Sequence, residues 1–270
     1  MLLKRWITAI ILFPVLLVVL VKSGHLTFSI LISVVSLLSA REYIKIVRPV
    51  CEGIADKKIQ VLFYLTCAAM PVLAGVGSQA ALFPVITVNL ILVGCIALSD
   101  YSRKTDVFHS AARQVLGVVY IPCFLSLLVL VHELDQGVLW IVWLILVVFA
   151  GDTGAYYTGC YLGRRKLAPM VSPKKTFEGA AGGMGASIFM GVVFHMIVFG
   201  QFVNTGIIFL SSLLIALTAQ AGDLFVSAMK RAGGIKDSGS LLPGHGGVLD
   251  RIDGLLFAVP VLYILKVYVL

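Results

Sequence analysis

Apolar runs close to the length of a membrane span follow one another along almost the whole chain. A transmembrane helix needs about 20 predominantly apolar residues. Nine such runs lie near residues 6–22, 25–40, 59–77, 80–99, 114–132, 138–160, 179–199, 204–229 and 252–270. Because 60% of the residues are hydrophobic and only 13% are charged, the composition excludes a soluble globular protein. The sequence therefore predicts an all-α polytopic integral membrane protein with about nine transmembrane helices.

The first run has to be distinguished from a cleaved signal peptide. Lys4 and Arg5 precede Trp6–Val21, as basic residues precede the apolar core of a signal peptide. No small-residue cleavage site follows, and the next apolar run begins at once. We therefore expect the first run to be retained as a transmembrane helix.

Basic residues are concentrated in alternate loops between the apolar runs. The even-numbered loops carry Arg41, Lys45, Arg48, Lys57, Lys58, Arg103, Lys104, Arg113, Arg164, Arg165, Lys166, Lys174, Lys175, Lys230, Arg231, Lys236 and Arg251. The fifth loop instead carries Glu133 and Asp135. By the positive-inside rule the even-numbered loops and the amino terminus are cytoplasmic, as expected in the cell membrane. Because the net charge of +8 comes from these short loops, it does not predict a nucleic-acid partner.

The character of the apolar runs changes near residue 150. Earlier runs are mostly aliphatic, whereas later ones are rich in small and polar residues, as in Gly151–Gly163 and Glu178–Ser187. Small residues let helix backbones approach closely and favour a tight bundle. We expect residues 1–149 to form a scaffold that could also pack a homodimer, and residues 150–270 to form the catalytic region.

One stretch of the second half, Gln220–Gly254, concentrates charge in this apolar protein. Asp223, Ser227 and Lys230 are spaced to share one face of a helix. An acid at membrane depth is costly unless it binds a cation or lines a wet cavity. The carboxylates available for a cation are Asp223, Asp237, Asp250 and Asp253. The predicted ion is Mg²⁺, which takes one or two carboxylates together with substrate phosphates, and a second metal ion is left open.

Basic residues interleaved with these acids indicate a phosphorylated substrate. They are Lys230, Arg231, Lys236 and Arg251. His245 lies in the glycine-rich turn Gly244–Gly247, where backbone could approach a ligand closely. Three roles stay open for it: a hydrogen-bond donor to phosphate, a base, or a group that stabilises the loop.

A second group of polar residues, Ser172–Gly179, precedes the run at 179–199. Thr176 is a candidate N-cap residue, with Glu178 in the first turn of the helix. The plain interpretation is membrane anchoring and a helix start. The alternative, which we favour, is a phosphate site at the helix amino terminus. Its hydroxyl and ammonium groups would come from Ser172, Lys174, Lys175 and Thr176.

Asp152 is a third polar feature, on one face of the run at 138–160 with Tyr156. It is either a buried acid that bonds a neighbouring helix or a ligand for metal or substrate. Taken together, acids for a metal and bases for phosphate beside lipid predict metal-assisted phosphoryl or nucleotidyl transfer at the cytoplasmic membrane face.

The residues of Gln220–Gly254 resemble, in order and spacing, the signature of the phosphatidate cytidylyltransferase (CDP-diacylglycerol synthase) family. They are Ser227, Lys230, Arg231, Lys236, Asp237, Gly239, Leu242, Pro243, His245, Gly246, Gly247, Asp250, Arg251 and Asp253. The run Ser172–Gly179 also resembles the family's preceding loop. Specific identity covers roughly residues 150–254, and the first half matches only as a set of apolar spans.

This resemblance implies an enzyme of phospholipid biosynthesis that converts CTP and phosphatidic acid to CDP-diacylglycerol and pyrophosphate with Mg²⁺. An oxygen of the lipid phosphate would attack the α-phosphorus of CTP in line. The metal would be held by Asp223 and Asp250, with Asp253 or Asp237 as a further ligand or an orienter of basic side chains. The catalytic set is Asp223, Lys230, Arg231, His245, Asp250 and Arg251, and the substrate-binding set is Ser172, Lys174, Lys175, Thr176, Ser227 and Lys236.

Three other functions would use some of the same residues. Asp250–Gly254 opens the motif of the CDP-alcohol phosphatidyltransferases, but the hydrophobic residues that follow depart from it. A CTP-dependent kinase of a lipid alcohol would use similar groups and differs in which part of CTP reaches the lipid. A transporter of an anionic solute would place its site near the bilayer midplane, often with repeated halves, and the polar residues here gather at one face without a repeat.

Overall fold

The computed structural model describes residues 18–47, 54–77, 79–101, 107–200, 203–239 and 246–270, and most of them are helical. The helices are α1 (His25–Val47), α2 (Ile54–Gly77), α3 (Leu82–Asp100), α4 (Val107–Val118), α5 (Phe124–Glu133), α6 (Gly137–Tyr161), α7 (Phe177–Phe194), α8 (Thr205–Ala232) and α9 (Leu249–Tyr268). The strands are β1 (Lys166–Ala168) and β2 (Ser172–Thr176). A π-helical turn at Val119–Cys123, which contains Pro122, joins α4 to α5, and a second at His195–Phe199 extends α7.

Among the residues that the structure describes, six helical segments are long and apolar enough to cross a membrane. They are Lys57–Gly77, Leu82–Asp100, Val107–Glu133, Gly137–Tyr161, Phe177–Phe199 and Thr205–Ala232. Each matches a predicted run to within a few residues except the third, which begins seven residues before the predicted 114–132. These spans support a mainly helical, multi-pass membrane protein, whereas the count of nine and the orientation remain predictions.

The other three predicted runs have different outcomes. Most of the first run, residues 6–17, lies outside the described residues, and residues 18–22 are helical. The second and ninth runs form α1 and α9, which are not among the six candidate spans. Both helices carry charged residues near one end: Arg41, Glu42 and Lys45 on α1, and Asp250, Arg251 and Asp253 on α9.

A short antiparallel hairpin interrupts the helical architecture between α6 and α7. Lys166 pairs with Thr176, and Ala168 pairs with Ser172. The predicted all-α class fits the chain as a whole, and the strand at Ser172–Thr176 stands where the sequence analysis expected a loop leading into a helix. The departure is local, because β1 and β2 contain three and five residues.

The chain packs as two compact units. The first comprises Met1–Glu133 and Ala232–Arg251, and the second comprises Leu134–Arg231 and Ile252–Leu270. The stretch Gln220–Gly254 therefore contributes residues to both. The functional division at residue 149/150 stays a prediction.

Buried polar side chains link the helices of the first unit. Asn89 on α3 donates to the Thr66 hydroxyl of α2 at 2.7 Å and accepts a bond from Gln114 of α4 at 3.1 Å. The Tyr43 hydroxyl of α1 donates to the carbonyl of Arg113 at 2.8 Å. Since a buried polar group is costly without a partner, these bonds fix which helix faces meet.

In the second unit, α6 and α7 pack closely through small residues. The Ser187 hydroxyl donates to the carbonyl of Val147 at 2.9 Å, and the Trp143 indole donates to the carbonyl of Gly191 at 3.2 Å. A Cβ on Gly154 would lie 2.5 Å from the Cβ of Ala186. The tight bundle predicted for the small-residue runs is confirmed for this helix pair.

Gly154→Ala is expected to destabilise the protein by about 1–3 kcal/mol, because the added methyl overpacks the α6–α7 contact. The new methyl would also lie 3.0 Å from the carbonyl oxygen of Gly182, and neither neighbour is a flexible side-chain end. The midpoint of thermal unfolding in detergent measures the effect. Gly185→Ala is the matched control, since nothing lies within 4 Å of its added Cβ. Equal midpoints for the two variants would contradict this account of the packing.

Candidate active site

The hairpin positions the polar residues that precede α7. Thr176 is the N-cap of α7, as predicted, and its hydroxyl accepts the N–H of Gly179 at 3.1 Å. Glu178 accepts the N–H of Arg164 at 3.0 Å and that of Arg165 at 3.2 Å, which ties the approach to β1 to the start of α7. Two independent contacts therefore hold this end of the hairpin against the helix.

The strand also separates two lysines that the sequence analysis grouped together. Side chains alternate between the two faces of a strand, so Lys174 and Lys175 point to opposite sides of β2. Lys174 is exposed, whereas Lys175 is partly buried. Thr176 is buried and its hydroxyl caps α7, while its phosphate contact stays a prediction.

Lys175 and Asp223 form an ion pair in the second unit. The Lys175 Nζ lies 2.5 Å from Oδ2 of Asp223, with 28% and 36% of the two side chains exposed. Ser227, one turn further along α8, has its hydroxyl 3.5 Å from Oδ1 of Asp223. The structure thus brings together three predicted site residues from β2 and α8.

Asp253 joins this group from α9. Its half-buried side chain interacts electrostatically with Asp223, Lys230 and Asp152. The approach depends on Gly222, because a Cβ there would lie 2.5 Å from the carbonyl oxygen of Asp253. Two carboxylates that repel each other, with two lysines beside them, make a site suited to a cation and a polyanion.

Arg231 is held against the hairpin. Its Nε donates to the carbonyl oxygen of Val171 at 3.2 Å. This contact links the carboxyl end of α8 to the hairpin turn, so the predicted phosphate-neutralising residue also has a structural contact.

Asp250 occupies a different setting, at the start of α9 in the first unit. Its Oδ2 accepts the backbone N–H groups of Ser238 at 3.0 Å and Gly247 at 3.2 Å. The sequence analysis assigned Asp250 to the catalytic set and to metal binding, and the structure adds its bonds to the backbone of Ser238 and Gly247. Among the other predicted residues, Lys236, Asp237 and Arg251 are exposed, and His245 lies outside the described residues.

The sequence analysis missed Glu42 on α1. This side chain is completely buried and accepts hydrogen bonds from Ser238, Val248 and Leu249 in the loop that carries the signature. The available signal was an acid between Arg41 and Lys45 in a strongly basic loop region. That signal could not identify a partner some 200 residues later in the chain.

The carboxylates of the site suit a Mg²⁺ ion that protein and substrate coordinate together. They suit less well an ion that protein side chains alone would coordinate. Within the described ranges, no group of three or more His, Cys, Asp and Glu side chains is placed to hold a metal ion. Asp223 and Asp253 nevertheless interact within one unit. Because Mg²⁺ commonly takes one or two carboxylates with phosphate oxygens and waters, these two residues fit such an ion.

Comparison with known proteins decides the family. The sequence profile described as "Cytidylyltransferase family" matches residues 3–269. The chain belongs to the cytidylyltransferase family. Its predicted signature, Ser227 to Asp253, falls within the matched residues, which also cover nearly all of both compact units.

Individual members of the cytidylyltransferase family resemble this chain over different lengths. A phosphatidate cytidylyltransferase of Bacillus subtilis is 39% identical over 165 residues, which cover 60% of this chain and 61% of that protein. One from Staphylococcus epidermidis is 37% identical over 66% of this chain and 68% of its own length. One from Staphylococcus aureus is 32% identical over 97% of this chain and 98% of its own length.

Proposed function

We propose that the protein transfers CMP from CTP to phosphatidic acid and yields CDP-diacylglycerol and pyrophosphate. The observation that carries the proposal is the grouping of Lys175, Asp223 and Asp253 in a member of the cytidylyltransferase family. Both substrates are polyanions, and both the ammonium group and a carboxylate-bound cation would neutralise phosphate. Phosphatidic acid is proposed as the lipid substrate because the similar proteins are named phosphatidate cytidylyltransferase.

In this reaction an oxygen of the phosphatidate phosphate attacks the α-phosphorus of CTP. A P–O bond forms to the lipid phosphate, and the bond from the α-phosphorus to the bridging oxygen of pyrophosphate breaks. The electron pair of that bond leaves with pyrophosphate. A phosphate monoester is already ionised near neutral pH, so the attacking oxygen needs no general base. The protein mainly has to position two anions against their mutual repulsion.

Each site residue has a role in that positioning. Lys175 and Lys230 neutralise phosphate oxygens, and Ser227 donates a hydrogen bond. Asp223 and Asp253 would hold Mg²⁺, and the sequence signature offers Asp250 as a further candidate ligand. Bound there, Mg²⁺ would supply charge neutralisation and orientation of the triphosphate. Arg231 and Arg251 add positive charge at the end of α8 and the start of α9.

We further propose that the site faces the cytoplasm of the cell membrane and that the chain crosses the bilayer about nine times. The basic residues of loop six and of the α8–α9 connection support this orientation by the positive-inside rule. CTP is water-soluble and phosphatidic acid is a membrane lipid, so a site at this face meets both substrates. A homodimer packed through the first half of the chain is part of the same proposal.

Two labels on CTP separate the candidate reactions. Detergent-purified protein would be given CTP labelled on either its α- or its γ-phosphate, with phosphatidic acid or diacylglycerol, and with or without a chelator of divalent metal. We expect only the α-label of CTP to enter the lipid. This transfer should occur only when phosphatidic acid is the acceptor and divalent metal is present. Entry of the γ-label into diacylglycerol would replace this proposal with a lipid kinase. If the folded protein transfers no label to lipid but carries labelled solute into proteoliposomes, a transporter function would replace this proposal.

A further inference from the structure

The completely buried carboxylate of Glu42 is a feature that the proposed reaction leaves unused. Its Oε2 accepts the hydroxyl of Ser238 at 2.9 Å and the N–H of Leu249 at 2.8 Å. Its Oε1 accepts the N–H of Val248 at 3.0 Å. Burying a carboxylate is costly unless hydrogen bonds replace its water. Three donors on two oxygens provide that replacement, so this is a built contact between α1 and the loop before α9.

The contact caps a helix from a distance. The first N–H groups of a helix have no partner within it and are usually satisfied by a side chain of the preceding residues. The groups at the start of α9, from Val248 and Leu249, are satisfied by a residue 206 and 207 positions away. A negative charge at this end also interacts favourably with the helix dipole. Glu42 therefore fixes where α9 begins.

A second carboxylate uses the same loop. Ser238 gives its hydroxyl to Glu42 and its backbone N–H to Asp250, which also accepts the N–H of Gly247. Glu42 and Asp250 thus each bond Ser238 and, in addition, a residue at or just before the start of α9. Since Asp250 follows Leu249 directly, the bonds that hold Leu249 also limit the orientation of Asp250.

We propose that Glu42 is a positioning residue for nucleotidyl transfer. It holds the start of α9 so that Asp250 and Arg251 are presented in one orientation, and it contacts neither substrate. This inference rests on the proposed function, because the assignment of Asp250 to metal and Arg251 to phosphate is what gives that orientation a consequence. A glutamine at position 42 would place an NH₂ group against backbone donors and would lose acceptors that the carboxylate provides.

The test compares Glu42→Gln with Glu42→Asp, which keeps the charge, and with Glu133→Gln, an exposed glutamate outside the site. In Glu42→Gln we expect hydrogen exchange of the Val248 and Leu249 amides to rise about ten- to a hundredfold, since hydrogen bonds to a charged group are lost. We expect kcat to fall about tenfold and the Mg²⁺ concentration for half-maximal rate to rise, while KM for phosphatidic acid stays within about twofold. Glu42→Asp should recover part of both effects, and Glu133→Gln should match the unsubstituted protein.

Several outcomes would overturn the proposal. One is active Glu42→Gln protein with unchanged amide exchange; another is faster exchange with unchanged kcat and Mg²⁺ requirement. A uniform loss that Glu42→Asp does not relieve would mean that Glu42 only supports folding. Should Glu42→Gln fail to fold, Ser238→Ala removes one of the three bonds and must show the same two effects, smaller in size. An inactive unsubstituted protein would instead refute the proposed function, and amide exchange would still decide whether Glu42 holds α9.

Discussion

Asp223→Asn is expected to lower kcat about a thousandfold, because an asparagine cannot replace the charge that holds a metal whose contribution is several kcal/mol. The substitution keeps the size of the side chain, so the packing of α8 should survive. The label-transfer assay over a series of Mg²⁺ concentrations measures the effect. A rate that recovers in part at high Mg²⁺ would mark Asp223 as a ligand.

A double-mutant cycle with Lys175 distinguishes the metal role from a simpler one. Lys175 and Asp223 are ion-paired, so Asp223 could act only by holding the lysine in place. In that case Asp223→Asn, Lys175→Met and the double variant would all lose about the same activity, since the pair would act as one unit. If Asp223 binds metal and Lys175 binds phosphate, Lys175→Met should mainly raise KM for CTP, and the double variant should be worse than either single one. Glu133→Gln again serves as the control for expression and folding.

The spans could be predicted because hydropathy is a local property of the sequence. The run at 138–160 corresponds to Gly137–Tyr161, and the run at 80–99 corresponds to Leu82–Asp100. The N-cap at Thr176 was also predictable, because a hydroxyl that accepts the N–H three residues later is set within one turn. The hairpin that precedes it was not. Its strands contain lysines and a proline, and the residues before β1 are bonded to Glu178 of α7, a contact that no local pattern indicates.

The site could be predicted as a list of residues but not as an arrangement. The residue types identified acids and bases suited to phosphate chemistry, and the structure places Lys175, Asp223 and Asp253 together. It also gives Asp250 and Arg231 backbone contacts that no spacing in the sequence indicates. Glu42 is the clearest case, since its partners lie about 200 residues away and follow no local period. Such pairings depend on how whole helices pack, and local patterns in the sequence do not reveal that packing.

Asp253→Asn is expected to lower kcat by about two orders of magnitude, since it removes one of two carboxylates that a shared Mg²⁺ would use. Asp253 is half-buried and interacts with Asp223, Lys230 and Asp152. Asp152→Asn provides the comparison, because Asp152 is an exposed carboxylate of α6 whose charge also acts on Asp253. If kcat of Asp152→Asn falls by no more than about threefold, Asp152 acts on Asp253 only through its charge and binds no metal. A loss in Asp152→Asn as large as that in Asp253→Asn would place Asp152 in the metal site.

Changing the metal tests whether Asp253 is a ligand or only a charge. A thiolate binds soft metal ions such as Cd²⁺ better than it binds Mg²⁺. Asp253→Cys should therefore be nearly inactive with Mg²⁺ and should regain activity with Cd²⁺. Cys95 and Cys160 are exposed thiols that could also bind Cd²⁺, so the unsubstituted protein with Cd²⁺ is the necessary control. If Asp253 only balances Lys230, the two metals would give equally low rates in Asp253→Cys. The ratio of the Cd²⁺ and Mg²⁺ rates therefore separates direct coordination from a charge effect, because only a ligand makes the preferred metal depend on its own donor atom.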